Sequence, residues 1–299
     1  ATMASSVAMA DVKIGGKVEQ QQQKSEAGEW AGWSDVRLTV SGDEDLGNGM
    51  SAFFKFQDEM GLRTGAGTQQ YDQLVGLKSS AGTLIMGKVE DFTESKVMSM
   101  TDKTMGAGGV EIGANLGRNE GAIAYVSPSF SGLTVGVAGY ALSASGGDQD
   151  AFDAVDLGLM YSNGPLSVNV AFENDKRAAT AATAATAAFD SGDSTSIGAS
   201  YAAGDLTVAA TQQMTSYDTA GKADEDDTSI AVTYNMGNNK VVVGWNDNET
   251  SAGATVTDTN SNVIELQHSF SKTTAAYVQF YNTDVAAGDT TSFGLQHSF

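Results

Sequence analysis

The stretch "SGDEDLGNGMSAFFKFQ", Ser41 to Gln57, decides the fold. Asp, Gly and Asn crowd its middle, and residues that alternate between apolar and polar flank it on both sides. A calcium loop of the EF-hand kind needs a Glu at its twelfth position and a helix after it, and no helical period follows here. A tight turn needs a strand on each side, and both are legible. Leu38 and Val40 share a face before the cluster, and Ala52, Phe54 and Phe56 share it afterwards. Arg37, Thr39, Ser41, Ser51, Lys55 and Gln57 fall on the opposite face. The stretch therefore reads as a turn between two strands with one apolar and one polar side.

The same period-two pattern recurs to the last residue. Val168, Val170 and Phe172 alternate with Ser167, Asn169 and Glu173; Phe293, Leu295, His297 and Phe299 alternate with Ser292, Gly294, Gln296 and Ser298. Composition fits many strands joined by tight turns, with 35 glycines and only 2 prolines in 299 residues. There is no cysteine, which excludes disulfides and thiolate metal sites. The formal net charge of -21 repels nucleic acid and attracts cations. No apolar run approaches the ~18 residues of a transmembrane helix. A membrane barrel stays open, because its strands show lipid only every second residue.

Strand count follows from the connections. Seven are short: 44–49, 79–82, 127–132, 162–165, 202–205, 236–239 and the passage through Phe270-Ser271-Lys272. Eight longer polar segments lie between them, near 22–32, 59–70, 90–118, 143–151, 175–193, 214–226, 249–259 and 283–289. Together they join sixteen antiparallel strands of about ten residues. At about 3.3 Å per residue and a tilt near 40°, ten residues rise roughly 25 Å, the apolar height of an outer-membrane barrel. The expected fold is all-β, a 16-stranded transmembrane β-barrel formed as a single domain over 11–299, with polar faces lining a water-filled interior. Residues 1–10 end in Ala8-Met9-Ala10 and read as a signal-peptide remnant or a flexible N-terminus.

At these residues the chain resembles a known family. "VRLTVSGDEDLGNGMSAFFKFQ" (36–57) resembles the second and third strands of the general trimeric porins of Gram-negative outer membranes. "LVGLKSSAGTLIMGKVEDF" (74–92), "GRNEGAIAYVSPSFSGLTVGVAGYA" (117–141) and the ending "FGLQHSF" (293–299) are similar to the same family. The resemblance implies a homotrimer with one pore per barrel, set among outer-membrane lipids and lipopolysaccharide. It also implies a third loop folded inward, whose carboxylates face basic residues on the opposite wall. On that loop stand Glu90, Asp91, Glu94, Asp102 and Glu111; the basic candidates are Lys13, Lys17, Arg37, Lys55 and Lys88. Phe299 matches the terminal aromatic residue that the barrel-assembly machinery reads. The chain departs from the family at Tyr71 and Ala124, positions often held by Arg, so the expectation is a thinned positive wall.

Other constellations carry other readings. Asp148 and Asp150, and the run Asp224, Glu225, Asp226 and Asp227, are candidate sites for Ca2+ or Mg2+, or simply solvated loop charges. His268 and His297 both sit in "LQHSF" at strand ends on the apolar face, without a converging nucleophile, so no enzymatic reaction and no cofactor is expected. Trp30, Trp33 and Trp245 are candidates for interfacial belts. The expected function is a passive, cation-preferring channel for small hydrophilic solutes. The alternatives are a channel with a binding site for one solute class, or a soluble or surface-layer acidic β protein.

Overall fold

The computed structural model describes residues 11–299 apart from 27, 62–67, 107, 114–115, 142–150, 177–191, 219–221 and 253–254. Residues 1–10, and with them the Ala8-Met9-Ala10 reading, lie outside the described residues, as do Asp148 and Asp150.

Among the described residues, sixteen strands form one closed antiparallel barrel. In chain order they are β1 (Asp11–Ser25), β2 (Trp30–Gly47), β3 (Met50–Gly61), β4 (Thr68–Ser79), β5 (Gly82–Glu90), β6 (Arg118–Val126), β7 (Leu133–Tyr140) and β8 (Ala154–Asn163). Then follow β9 (Leu166–Asp175), β10 (Gly192–Ala203), β11 (Leu206–Tyr217), β12 (Asp224–Met236), β13 (Asn239–Ala252), β14 (Thr255–Ser269), β15 (Thr274–Thr283) and β16 (Thr290–Ser298). Each strand pairs with its sequence neighbours, and β1 closes the ring on β16, with Lys17 opposite Ser298 and Ser25 opposite Thr290. Phe299 extends this seam by exchanging both backbone hydrogen bonds with Gly16 at 3.0 Å. A closed ring leaves no strand edge unpaired, the condition for crossing lipid with β-structure.

The opening stretch is a turn. β2 runs through Gly47 and β3 starts at Met50. Gly47, Asn48 and Gly49 all have positive φ (77°, 53° and 75°), which Gly and Asn tolerate and bulkier residues resist. Asp45 fastens the turn by accepting a hydrogen bond from the Gly47 N–H at 2.8 Å.

All seven short connections fall where the alternation places them, and most of the long ones are shorter than it suggests, although the one expected near 143–151 is longer, since β7 ends at Tyr140 and β8 begins at Ala154. β13 continues to Ala252 and β14 begins at Thr255, inside the segment 249–259 that polarity marks as a loop. The ladder is held by backbone groups, so polar residues such as Thr257 and Asp258 extend it above the apolar band at no cost in pairing. β2 reaches 18 residues for the same reason.

Side chains sort as the alternation requires. Val75, Leu77, Leu84, Met86, Ile264 and Leu266 are exposed on the outer face. Glu19, Gln21, Ser196, Thr211, Gln213, Ser229, Glu265 and Gln279 are buried toward the interior. An exterior this apolar is a liability in water and is satisfied by lipid. Trp30 packs edge-on against Phe293, and Trp245 pairs across the ladder with outward Ile230. Trp33 instead pairs with the buried Gln21 and belongs to the lumen side, so the three tryptophans do not form one belt.

Candidate functional site

The segment between β5 and β6 folds into the interior and packs on one side of the wall. Its neck is closed by Asp91 and Gly117. The Asp91 carboxylate accepts hydrogen bonds from the backbone N–H of Glu94 at 2.6 Å and from that of Gly117, while the Asp91 N–H donates to the Gly117 carbonyl at 3.2 Å. One buried side chain thus ties the start of the loop to its end. Phe92 then turns inward. Its N–H donates to Asp156 at 2.6 Å, and its ring lies on Gly136 and Gly158. A Cβ at either glycine would stand 2.3 or 2.7 Å from the ring, so the absence of a side chain is what admits the aromatic. A π-helical turn (Thr93–Val97) and a 3-10 turn (Met98–Met100) carry the chain along β9, β10 and β11. Asn169 holds the Lys96 carbonyl at 2.7 Å, and Thr101 meets Thr211 at 3.1 Å.

The tip is gripped by β14 and β15. Glu265, fully buried, accepts the N–H groups of Met105 and Gly106 at 2.8 and 2.9 Å. It also accepts the side-chain amides of Gln267 and Gln279 at 2.6 and 2.9 Å. Gln279 bonds Gly108 through both its amide atoms, at 2.9 and 2.8 Å. A buried carboxylate with four N–H donors is solvated by the protein and needs no cation. On the return, the Leu116 N–H donates to Glu173 at 3.4 Å.

The charged face lies toward β1–β4. Arg37 donates from Nε and Nη2 to Glu59 at 2.8 and 2.5 Å. Lys55 meets Asp72 at 2.7 Å, and Lys17 meets Glu19 at 3.0 Å. Arg118, at the start of β6, contacts Glu90, reaches Glu94 at 2.7 Å and lies 3.8 Å from Asp72. Between the two arginines stands Tyr71, with their guanidinium carbons 4.1 and 4.2 Å from its ring centroid. Its hydroxyl donates to Glu59 at 3.3 Å. The register between β3 and β4 shifts between Phe56 and Asp58, and this irregularity brings both Tyr71 and Asp72 into one network.

The expected site residues therefore separate into groups. Glu90 and Glu94 join the wall cations Arg37 and Lys55 in one cluster, through Arg118 and Tyr71. Asp91 does not face the pore. It is fully buried, and its carboxyl is pushed well above the usual carboxylate range by burial first and by neighbouring Glu173 next. Glu111 is also turned from the open lumen: one of its oxygens is buried without a partner, and its backbone carbonyl accepts from Asn246 at 3.5 Å. Burial raises its carboxyl, with Asp102 and Asp227 adding to the shift. Asp102 meets solvent inside the barrel and enters no ion pair among the described residues; partial desolvation by the surrounding wall raises its carboxyl, while Lys103 and Lys17 oppose the rise. Among the described residues Lys13 pairs with Asp43 alone, 3.7 Å away and well exposed, beside the short-turn rim. Lys88 pairs with Gln73 in the ladder at an irregular register and joins no ion pair among the described residues.

Arg118 is the residue that alternation misses. The positive wall expected to be thinned at Tyr71 and Ala124 is rebuilt by Arg118, with Tyr71 as the plate between two guanidiniums. The register shift between β5 and β6 hides it, since alternation cannot be carried through an irregular ladder. The acidic run 224–227 is also relocated. It lies in β12, not in a loop, so Asp224 and Asp226 are exposed while Asp227 is buried and accepts from Asn246 at 2.5 Å. Strand geometry sends consecutive carboxylates to opposite sides and keeps the four from converging. His268 and His297 bond Asn239 and Thr274 at 2.8 and 2.9 Å, on strands separated by β15.

Comparison with known proteins places this architecture. The Gram-negative porin family matches the chain over residues 1–288. An outer membrane porin protein of Bordetella pertussis (strain Tohama I) is 30% identical over 161 residues, a stretch that covers 46% of this chain and 41% of that protein. The anion-selective porin of Comamonas acidovorans superposes with a TM-score of 0.77 at 21% identity, covering 97% of this chain and 100% of the other. OmpT of Vibrio cholerae in its trimer form gives a TM-score of 0.77 at 16% identity, covering 97% and 99%.

Proposed function

The chain belongs to the Gram-negative porin family, and we propose that it is a passive, cation-preferring diffusion channel for small hydrophilic solutes and ions across the outer membrane. The observation that carries this reading is the charge cluster beside the inward loop. Arg37, Lys55 and Arg118 meet four carboxylates there, Glu59, Asp72, Glu90 and Glu94. The cations are all engaged by carboxylates, and the cluster keeps an excess negative charge. Asp35 and Asp102 add carboxylates that enter no ion pair among the described residues. Such fixed charge in a confined, partly desolvated passage biases ion permeation. The likeness to an anion-selective porin shows the shared fold alone, so the sign of selectivity rests on side chains.

The assembly that fits is a homotrimer in outer-membrane lipid and lipopolysaccharide; the likeness to OmpT in trimer form supports it. Phe299 seals the β1–β16 seam, where the barrel-assembly machinery would read a terminal aromatic. The decisive experiment is a reversal potential in a planar bilayer under a KCl gradient. A cation-selective potential that shrinks at high salt is expected, since the Debye length falls from about 10 Å at 0.1 M to about 3 Å at 1 M. Anion selectivity at low salt would overturn the reading.

A further inference from the structure

A second feature of the lumen has the opposite electrostatic character. On the short-turn side of the inward loop lies a cavity of about 630 Å3, bounded by the loop and by the inner faces of strands β6–β11. Its lining includes two lysines, Lys96 and Lys103, and no Asp or Glu. In a chain of net charge -21, a chamber of this size without a carboxylate is a local reversal of sign. Lys96 joins no ion pair among the described residues, and Lys103 is held by the carbonyl of Ser99 on its own loop. Neither ammonium forms an ion pair among the described residues; Asp102 acts on Lys103, and Asp72 on Lys96, only through their fields.

The remaining lining is rich in hydroxyls. Ser95 and Ser99 come from the loop, and Ser162, Ser167, Ser200 and Thr207 face them from the strands. Hydroxyls donate and accept, so they match the hydroxyls of a solute in either sense. Met100 and Met160 supply an adaptable apolar patch for a carbon backbone. The volume falls within the range of small-molecule pockets, about 300–1,000 Å3.

We propose that this cavity is a solute subsite for small polyhydroxylated carboxylates of the sugar-acid class, with Lys96 and Lys103 holding the carboxylate and the serines and Thr207 holding the hydroxyls. The subsite deepens the channel reading and rests on it, since a solute reaches the cavity through the lumen. Short turns mark the periplasmic end of such barrels, so the cavity lies on the periplasmic side of the loop. A cation-preferring constriction and a lysine-bearing chamber then act in series. The chamber holds an anionic nutrient on the periplasmic side of the constriction, while the constriction opposes its passage equally in both directions.

The test compares D-gluconate with sorbitol, which has the same carbon count and no charge. Calorimetric titration of the folded protein in detergent should give a Kd for gluconate lower by about tenfold or more, the fold-change of one charge-assisted hydrogen bond. The double variant Lys96→Gln, Lys103→Gln should lose that difference, and Lys96→Arg, Lys103→Arg should keep most of it. Heat-modifiable migration confirms that each variant is folded, and the arginine pair carries the comparison if the glutamine pair is not. Equal affinity for the two probes overturns the subsite, as does an undiminished preference in the folded glutamine variant or a preference lost in the folded arginine variant. Bilayer recordings separate this from the channel reading. A barrel that conducts K+ yet binds no gluconate loses the subsite alone; one that binds gluconate but conducts nothing loses the channel reading.

Discussion

The two walls of the lumen use the same residue types for opposite purposes. Toward β1–β4, carboxylates meet cations: Glu59 holds Arg37, and Asp72 holds Lys55. Toward β8–β15, carboxylates meet backbone N–H groups: Asp156 holds Phe92, Glu173 holds Leu116 and Glu265 holds Met105 and Gly106. The first wall is an electrostatic surface left open to solute. The second is a cradle whose acceptors satisfy a loop that has no ladder of its own. Inside a barrel, irregular backbone persists only where its polar groups are paired, and the cradle supplies the partners. A carboxylate's role in this lumen is therefore set by its donor.

Breaking the cradle should have the largest effect. Glu265→Leu strips an acceptor from two backbone N–H groups and two side-chain amides, each buried donor left unmade costing about 1–3 kcal/mol. The loop tip should detach, with raised open-channel noise and several current levels in single-channel recordings. Glu59→Gln, on the other wall, should shift the reversal potential and leave the noise unchanged. If the two variants gave the same phenotype, the division between the walls would fail.

The neck of the loop gives a pH test of the cradle. Asp91 is held above its ordinary range by burial and by Glu173. Its unfolded-state value is near 3.9. Between that value and the raised folded value the folded protein binds more protons than the unfolded chain, so this group's contribution favours folding below about pH 4 and declines as pH rises through the folded value. Melting of the heat-modifiable band across pH 4 to 8 should show that decline. Asp91→Asn should make it shallower, at an overall loss of about 1–3 kcal/mol for the weakened neck. An identical pH slope in the variant would remove Asp91 from this role.

How much of this was legible follows from the same contrast. Alternation at Leu38, Val40, Phe54 and Phe56 implies the barrel, because a two-residue period and a Gly-Asn-Gly turn depend on nearby residues alone. The positions of Arg37 and Lys55 on the lumen side follow from that pattern. Asp91 and Glu111 look like pore carboxylates in sequence, yet their surroundings are set by residues far along the chain, Asp156, Glu173 and Asp227. Arg118 is hidden by an irregular ladder. Glu265 and Gln279 read as ordinary inward polar residues; their partners Met105, Gly106 and Gly108 lie about half the chain away.

On the charged wall the expected effects are on selectivity. Arg118→Gln frees Glu90, Glu94 and part of Asp72 from their shared cation, so cation preference should rise, by about two- to threefold in permeability ratio at 0.1 M salt. Glu94→Gln should move it the other way. Acid should resemble the second variant. Burial raises Glu94, helped by Asp72 and Asp102, and burial raises Asp102. Protonation removes negative charge, so cation preference should fall with decreasing pH, beginning above the ordinary carboxylate range. A reversal potential that is flat until pH 4 would contradict this.

The smallest effect is expected where a pair of the same chemistry sits in water. Lys13 and Asp43 are 3.7 Å apart, with side chains 67% and 62% exposed at the short-turn rim. An exposed pair of this kind contributes about 0–1 kcal/mol, and solvent screening places this one at the low end. Its field also fades within about one Debye length, roughly 8 Å at 0.15 M ionic strength. Lys13→Gln should therefore leave both the melting of the folded band and the reversal potential at their original values, while Arg118→Gln moves the potential clearly. The contrast matters because both substitutions remove one positive charge from the lumen side of the barrel. If net charge alone set selectivity, the two would shift the potential alike. If the desolvated cluster around Tyr71 sets it, only Arg118→Gln will register. A shift at Lys13→Gln as large as that at Arg118→Gln would move the selective step from the inward loop to the rim.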